Sequence, residues 1–237
     1  SRPPVTACTV SAVWASEDVV RVSMHVTDVV EGRVLWSEKL TNPIDAFTGF
    51  GAEDEIVRRV AGAVGDVRGV VVRAPNRPVP TTGDPFVADA LWRWFAFLDQ
   101  LDPSTLVEVR DDLHLALERE PENPLVLASL AWAYTMDHLI PGEDASESLA
   151  AAEDLAARSL RIDPTSAAAY NVLAIVDVAR GLDARAAVHA ERALERAPDH
   201  PAHAFVAGVV LANTGEWDRG IRIMRDSIHL NPHGLTY

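Results

Sequence analysis

One cysteine, Cys8, and one lysine, Lys39, are all that the sequence offers of either residue. A lone cysteine excludes a disulfide within the chain and argues against a cysteine-built zinc site. Cys8 lies in a strand-like run, where a thiol is expected to be buried and inert. The one lysine stands against 20 arginines, a bias of composition rather than of mechanism. No apolar run reaches the roughly 18 residues a membrane span needs, and no basic-then-apolar leader opens the chain. A cytoplasmic protein is the expectation. Phosphate-loop chemistry is missing too: Thr48-Gly49-Phe50-Gly51 has no Lys-Ser or Lys-Thr after it. Neither a GxSxG elbow nor an HExxH helix occurs. The expectation is therefore no catalytic residues, no cofactor, no resident metal and no enzyme.

What is present is acid and apolar side chain. Formal net charge is −14 and hydrophobic content 48%, enough for a packed core. The charge is uneven. Residues 1–83 hold 9 basic and 10 acidic residues, whereas residues 84–237 hold 12 and 25, a net of −13. Such a surface repels phosphate backbones, so direct nucleic-acid contact by this part is not expected.

Residues 5–14 are rich in β-branched side chains and read as a strand. Val20, Val22, Met24 and Val26 then alternate with polar residues, the period of a half-buried strand. After a Glu31-Gly32 turn, Arg33–Leu40 alternates again, with Val34, Trp36 and Leu40 assigned to one face. An antiparallel β-meander is predicted. Residues 41–50 read as a loop. Glu53, Asp54 and Glu55 suit a helix amino terminus, and Ile56, Val57, Val60, Ala61 and Val64 follow at helical spacing. Gly69–Arg73 reads as a short strand or a helical tail. Residues 74–83 hold prolines and a glycine, the composition of a linker.

The strongest signal comes after it. Pro164, Pro198 and Pro232 recur at equal intervals, a period of about 34 residues. Between the first two, Tyr170, Leu173 and Ala174 fall on one helix, Gly181 at a turn, and Ala186, Ala190 and Ala193 on a second helix. Between the next two, Ala204, Ala207, Gly208, Gly215, Gly220, Met224 and Ser227 fill equivalent slots. Small residues recur where two helices must approach closely. A period of this length marks stacked helical hairpins. An earlier unit has Leu130, Ala131 and Tyr134 on its first helix and Ala152, Ala156 and Ser159 on its second, with about seven extra residues near 140–146. The first has Leu91, Phe95 and Leu98 facing Leu113, Ala116 and Leu117.

The period, the glycine turn and the small-residue slots resemble the tetratricopeptide repeat family. The predicted fold is mostly α, an α-α superhelix of tetratricopeptide-like hairpins, with a small amino-terminal α+β module. The units are about 84–121, 122–164, 165–198 and 199–232, and the module covers 1–73. Pro232-His233-Gly234 resembles the start of a further unit. The module in turn resembles the second half of a TolB-like α/β domain. Arg21-Val22, Thr27-Asp28, Gly32, Leu35-Trp36-Ser37-Glu38 and Asp54-Glu55-Ile56 carry that likeness. The family's first strand–helix–strand half is absent, so the chain would be part of a larger protein. What the resemblance implies is a regulatory region of a bacterial signalling or transcription-control protein, or an accessory region of a class III nucleotide cyclase. A third reading is a self-assembling subunit, a homo-oligomer joined through strand edges or solenoid ends.

No Lys or Arg falls on the face that the first helices of such repeats turn inward. By register that face carries Leu125, Ala128, Trp132, Met136, Asn171, Ile175, Val178, Phe205, Val209 and Asn213. Repeats that grip a terminal carboxylate need cations there; this face predicts an apolar segment, from a partner or from the protein's own other domain. The bland alternative is that neighbouring helices bury these residues. Trp92 and Trp94, two apart, point to different sides, so at least one is expected to face outward or into the groove. His200, His203, His229 and His233 flank repeat turns and would approach one another if the turns stack; ordinary loop histidines are the preferred reading over a metal site. Asp102 and Asp111-Asp112 are placed near a helix start, where acid steadies the dipole.

Overall fold

The computed structural model describes residues 6–16, 18–28, 32–44, 56–61, 82–139 and 145–230. Val64, Gly69–Arg73, most of the linker, the 140–144 part of the insertion and Pro232–Tyr237 lie outside them.

Strands β1 (Thr6–Ala15), β2 (Val19–Asp28) and β3 (Arg33–Pro43) form an antiparallel meander in the order β1-β2-β3. The alternation in β2 does what period two requires: Val20, Val22, Met24 and Val26 are buried while Arg21 is exposed. Leu40 is buried on the same face, and Trp36 packs there with Ile56 and Val60 of helix α1 (residues 56–61). Each such side chain removed from water stabilises by about 1.5–3 kcal/mol.

Two expectations are corrected here. Val34 does not share a face with Trp36 and Leu40. The register steps from Val26 opposite Trp36 to Thr27 opposite Val34, leaving Leu35 as an extra residue. This bulge turns Val34 to the other face, 55% exposed. In α1, Ile56 and Val60 pack on the apolar face of the sheet, and Val57 points away at 64% exposure.

The rest is helix. The pairs are α2 (Pro85–Gln100) with α3 (Leu106–Arg119), α4 (Pro124–Thr135) with α5 (Ser146–Ile162), α6 (Ala167–Ala179) with α7 (Asp183–Arg196), and α8 (Pro201–Asn213) with α9 (Trp217–Leu230). Local sequence sets the starts. Asp84 and Asn123 accept hydrogen bonds from the second and third amides of α2 and α4, and Ser166 accepts from Ala169 N in α6. Pro85, Pro124 and Pro201 occupy first helical positions, where no amide hydrogen is missed. Pro121, Pro164 and Pro198 lie in the turns between pairs. Gly181 and Gly215 turn the chain within pairs at φ +69° and +107°, a region open to glycine.

The small-residue slots stack in register. Ala152, Ala186 and Gly220 are buried, as are Ser159, Ala193 and Ser227, each one repeat length after the last. Among the described glycines the tightest setting is the α8–α9 approach: a Cβ added to Gly220 would lie 2.4 Å from Gly208 O and 2.7 Å from Ala212 N. Ser159 Oγ donates to Pro124 O at 2.9 Å, tying α5 to the start of α4. One core runs from α2 into α6 and a second continues it from α6 to α8.

Candidate functional site

Successive first helices touch: α4 meets α6, and α6 meets α8. They form one continuous inner layer, with α5, α7 and α9 outside it. Across 12, 13 and 13 residues, α4, α6 and α8 contain a single carboxylate, Asp177, and no Lys or Arg. These helices are apolar around most of their circumference. A helix of that kind is at home when buried, yet part of each reaches solvent.

The solvent-reaching stripe has a clear register. Trp132, Ile175 and Val209 occupy one slot in three consecutive units, and all three are half-buried. Met136, Val178 and Phe205 are half-buried as well, Leu125 is 37% exposed and Asn213 is exposed. Ala128 is buried. The Asn213 carboxamide turns back on its own helix, donating to Val209 O at 2.9 Å. Asn171 is different. Its side chain is sealed from solvent and donates to His203 O at 3.0 Å, so it pins α6 to α8 beneath the trough and offers nothing to a ligand lying in it. Among the described residues its Oδ1 has no hydrogen-bond donor.

At the amino-terminal edge of this layer, Leu91, Glu120, Glu122, Pro124 and Leu125 border an open cleft of about 680 Å³. Glu120 is engaged there by Thr82 and by Asn123, whose Nδ2 donates to it at 2.7 Å, and both hydrogen bonds hold its carboxyl below the ordinary value.

His200 and His203 lie ring against ring, centroids 4.2 Å apart. Burial, and then the neighbouring His200, push His203 down to about 3, so it is neutral at pH 7. His229 is not with them: it contacts Arg59, which also pairs with Glu38. His233 lies outside the described residues. Among the described residues no group of three or more His, Cys, Asp or Glu side chains is placed to hold a metal ion.

Both tryptophans of α2 are buried, at 8% for Trp92 and 2% for Trp94, which corrects the expectation that one faces out. They do point to different sides, but α2 is covered on both. Trp92 meets Phe95 edge-on and Trp94 stacks on Phe97, each with centroids 5.6 Å apart. Asp102 caps the short 3-10 turn at Pro103–Thr105, accepting from Ser104 N at 3.0 Å. Asp111 and Asp112, in contrast, lie mid-helix in α3, where Asp112 accepts from Arg93 at 2.7 Å.

The strongest electrostatic feature escaped the sequence reading. Asp177, fully buried in α6, accepts from Arg185 Nη2 at 2.6 Å and meets His189 Nδ1 at 2.9 Å, both on α7. Glu153 of α5 joins through Arg180 and Arg185, which hold its carboxyl below the ordinary value, the Arg180 hydrogen bond most of all. Asp177 also fixes the Nδ1–H tautomer when His189 is neutral. The available signal was a lone acid in an uncharged helix, with Arg185 and His189 one turn apart on the next.

This geometry defines the class: an array of antiparallel helix pairs of the tetratricopeptide type, preceded in the chain by a small three-stranded sheet. No protein-family model matches the chain, and no curated protein matches it. Among solved structures, it is similar to TTC0263, a thermophilic TPR protein in Thermus thermophilus. The TM-score is 0.52 at 15% identity, over 62% of this chain and 74% of that one. MamA (MSR-1 C2) aligns at a TM-score of 0.40 and 15% identity, over 81% and 100% of the two chains. At 15% identity the likeness to TTC0263 is one of fold.

Proposed function

We propose that the chain is a protein–protein interaction scaffold that holds an apolar segment, from a partner or from another part of the same protein, on the inner face of α4, α6 and α8. One observation carries the reading: the Trp132–Ile175–Val209 row crosses three units, reaches solvent in each and is interrupted by no charge. An inert solenoid would place polar side chains there at no cost in packing. The resemblance of the sheet and α1 to a TolB-like half-domain supports a bacterial regulatory or cyclase-linked setting. The domain content of the full coding sequence tests that, since this setting requires an output or catalytic domain in the same protein.

Photo-crosslinking from a benzophenone side chain at position 213, exposed on the same stripe, in cells of the source, is expected to trap a defined segment. Phe205→Asp and Val209→Asp should abolish that capture while the far-ultraviolet spectrum stays helical. Capture that survives both substitutions refutes the proposal. Self-association is a second reading, favoured by one observation: β1 is an edge strand with Val13 66% and Trp14 57% exposed. Light scattering over a concentration series decides it, a strict monomer excluding it.

A further inference from the structure

We infer that the occupant of the inner trough is an α-helical segment whose apolar stripe is flanked by lysine and arginine. The inference rests on the scaffold reading above and concerns what the scaffold selects.

The first argument is about backbone hydrogen bonds. An extended peptide brings a donor and an acceptor at every residue, and covering them without partners costs free energy. The trough has almost nothing to offer them. Of its side chains with hydrogen-bonding capacity, Asn171 is buried and committed to His203 O, and Asn213, at the far end of the stripe, gives one N–H to Val209 O, so a single exposed carboxamide is left for an extended backbone. Trp132, Ile175, Val178 and Val209 supply only apolar surface or, in the indole, one donor. A helix satisfies its own backbone internally and needs apolar contact alone along its stripe.

The second argument is about charge. The floor of the trough is uncharged: apart from the buried Asp177, α4, α6 and α8 carry no Asp, Glu, Lys or Arg, so −12 of the net −13 of residues 84–237 lies outside them. Glu120, Glu122, Asp163 and Asp199 stand in the turns that lead into α4, α6 and α8, along one edge of the inner layer. At that edge the open cleft juxtaposes apolar Leu91, Pro124 and Leu125 with Glu120 and Glu122. A segment entering there meets apolar surface beneath and carboxylates beside it, which favours a cation next to each apolar anchor and disfavours an acid.

The experiment uses the full chain and three labelled 18-residue peptides in fluorescence anisotropy at two salt concentrations. One has a leucine stripe at helical spacing among lysines, one the same stripe among glutamates, and one the leucine–lysine composition in strict alternation. The leucine–lysine helix is expected to bind at least tenfold tighter than either of the others and to lose that binding in Ile175→Asp. Val209→Asp repeats the measurement should the first variant lose its helical spectrum. Equal or tighter binding of the glutamate or alternating peptide, lost in the same variants, overturns this inference and leaves the scaffold reading standing. No binding by any peptide, or binding that persists in both variants, overturns the two together.

Discussion

Replacing Gly220 with alanine puts the α8–α9 approach to the test. The new methyl carbon would stand 2.4 Å from Gly208 O, 2.7 Å from Ala212 N and 2.8 Å from Ala212 Cβ. Two of the three obstacles are main chain, so no rotamer change relieves them. Moving the carbon out to an ordinary van der Waals distance requires α8 and α9 to part by roughly 0.8–1 Å, a gap that forfeits about a quarter to a half of each contact's attraction. Overpacking of this kind costs about 1–3 kcal/mol, and more where the backbone must move. Against it stands a gain of roughly 1 kcal/mol from replacing glycine within a helix. The expected net loss is about 2 kcal/mol, which at about 2 kcal/mol/M of urea dependence lowers the midpoint by about 1 M. Urea titration followed by far-ultraviolet dichroism reads the shift. Amide exchange along α9 shows whether the loss is confined to the last pair. Gly208→Ala should cost less, since two of its three obstacles are the side chains of Met224 and Ile223, at 3.0 and 3.3 Å. A Gly220→Ala protein as stable as the parent, or more so, would refute the close approach and the stacking logic built on it.

Asp177→Ala should destabilise by about 2 kcal/mol, the scale of lost hydrogen bonds to a charged group; equal thermal midpoints would show the network to be idle. Asn123→Ala removes the acceptor for Leu125 N and Val126 N and should cost about 1 kcal/mol, read as a lower denaturant midpoint. His203 remains unprotonated in the folded chain until about pH 3, whereas the unfolded chain takes up a proton near 6.5. The unfolded state thus binds more protons between those values, and stability falls as pH drops from 6.5. Between pH 7.5 and 5, above the carboxylate range, His203→Gln should flatten that fall in the urea midpoint, and an unchanged slope would assign it elsewhere.

The helical array was legible because its signals repeat. Prolines at a fixed spacing mark the turns between units, and an alanine or glycine at the same slot in the last three units fixes the facing surfaces. The inner stripe followed from that register, down to the Trp132–Ile175–Val209 slot. What failed were features without a period. The bulge at Leu35 depends on how β3 pairs with β2 and leaves no mark in β3 alone, so Val34 was given the wrong face. Spacing correctly separated Trp92 from Trp94, but spacing says nothing about how many neighbours surround α2. Asn171 fits the inner register and yet is sealed, because the neighbouring unit supplies a carbonyl within its reach. Asp177 went unread because its partners sit on a different helix.

The Asn171–His203 link has one more consequence. It joins a side chain of one unit to the main chain of the next, and that next unit begins one full repeat after its predecessor. Excising residues 165–198 would remove the carboxamide and leave the carbonyl of His203 facing α4, where Ala128 occupies the corresponding slot and has nothing to donate. Shortened by one module, the array would keep its register and lose the bolt between its last two tiers, so its final hairpin should swing more freely than it does in the parent.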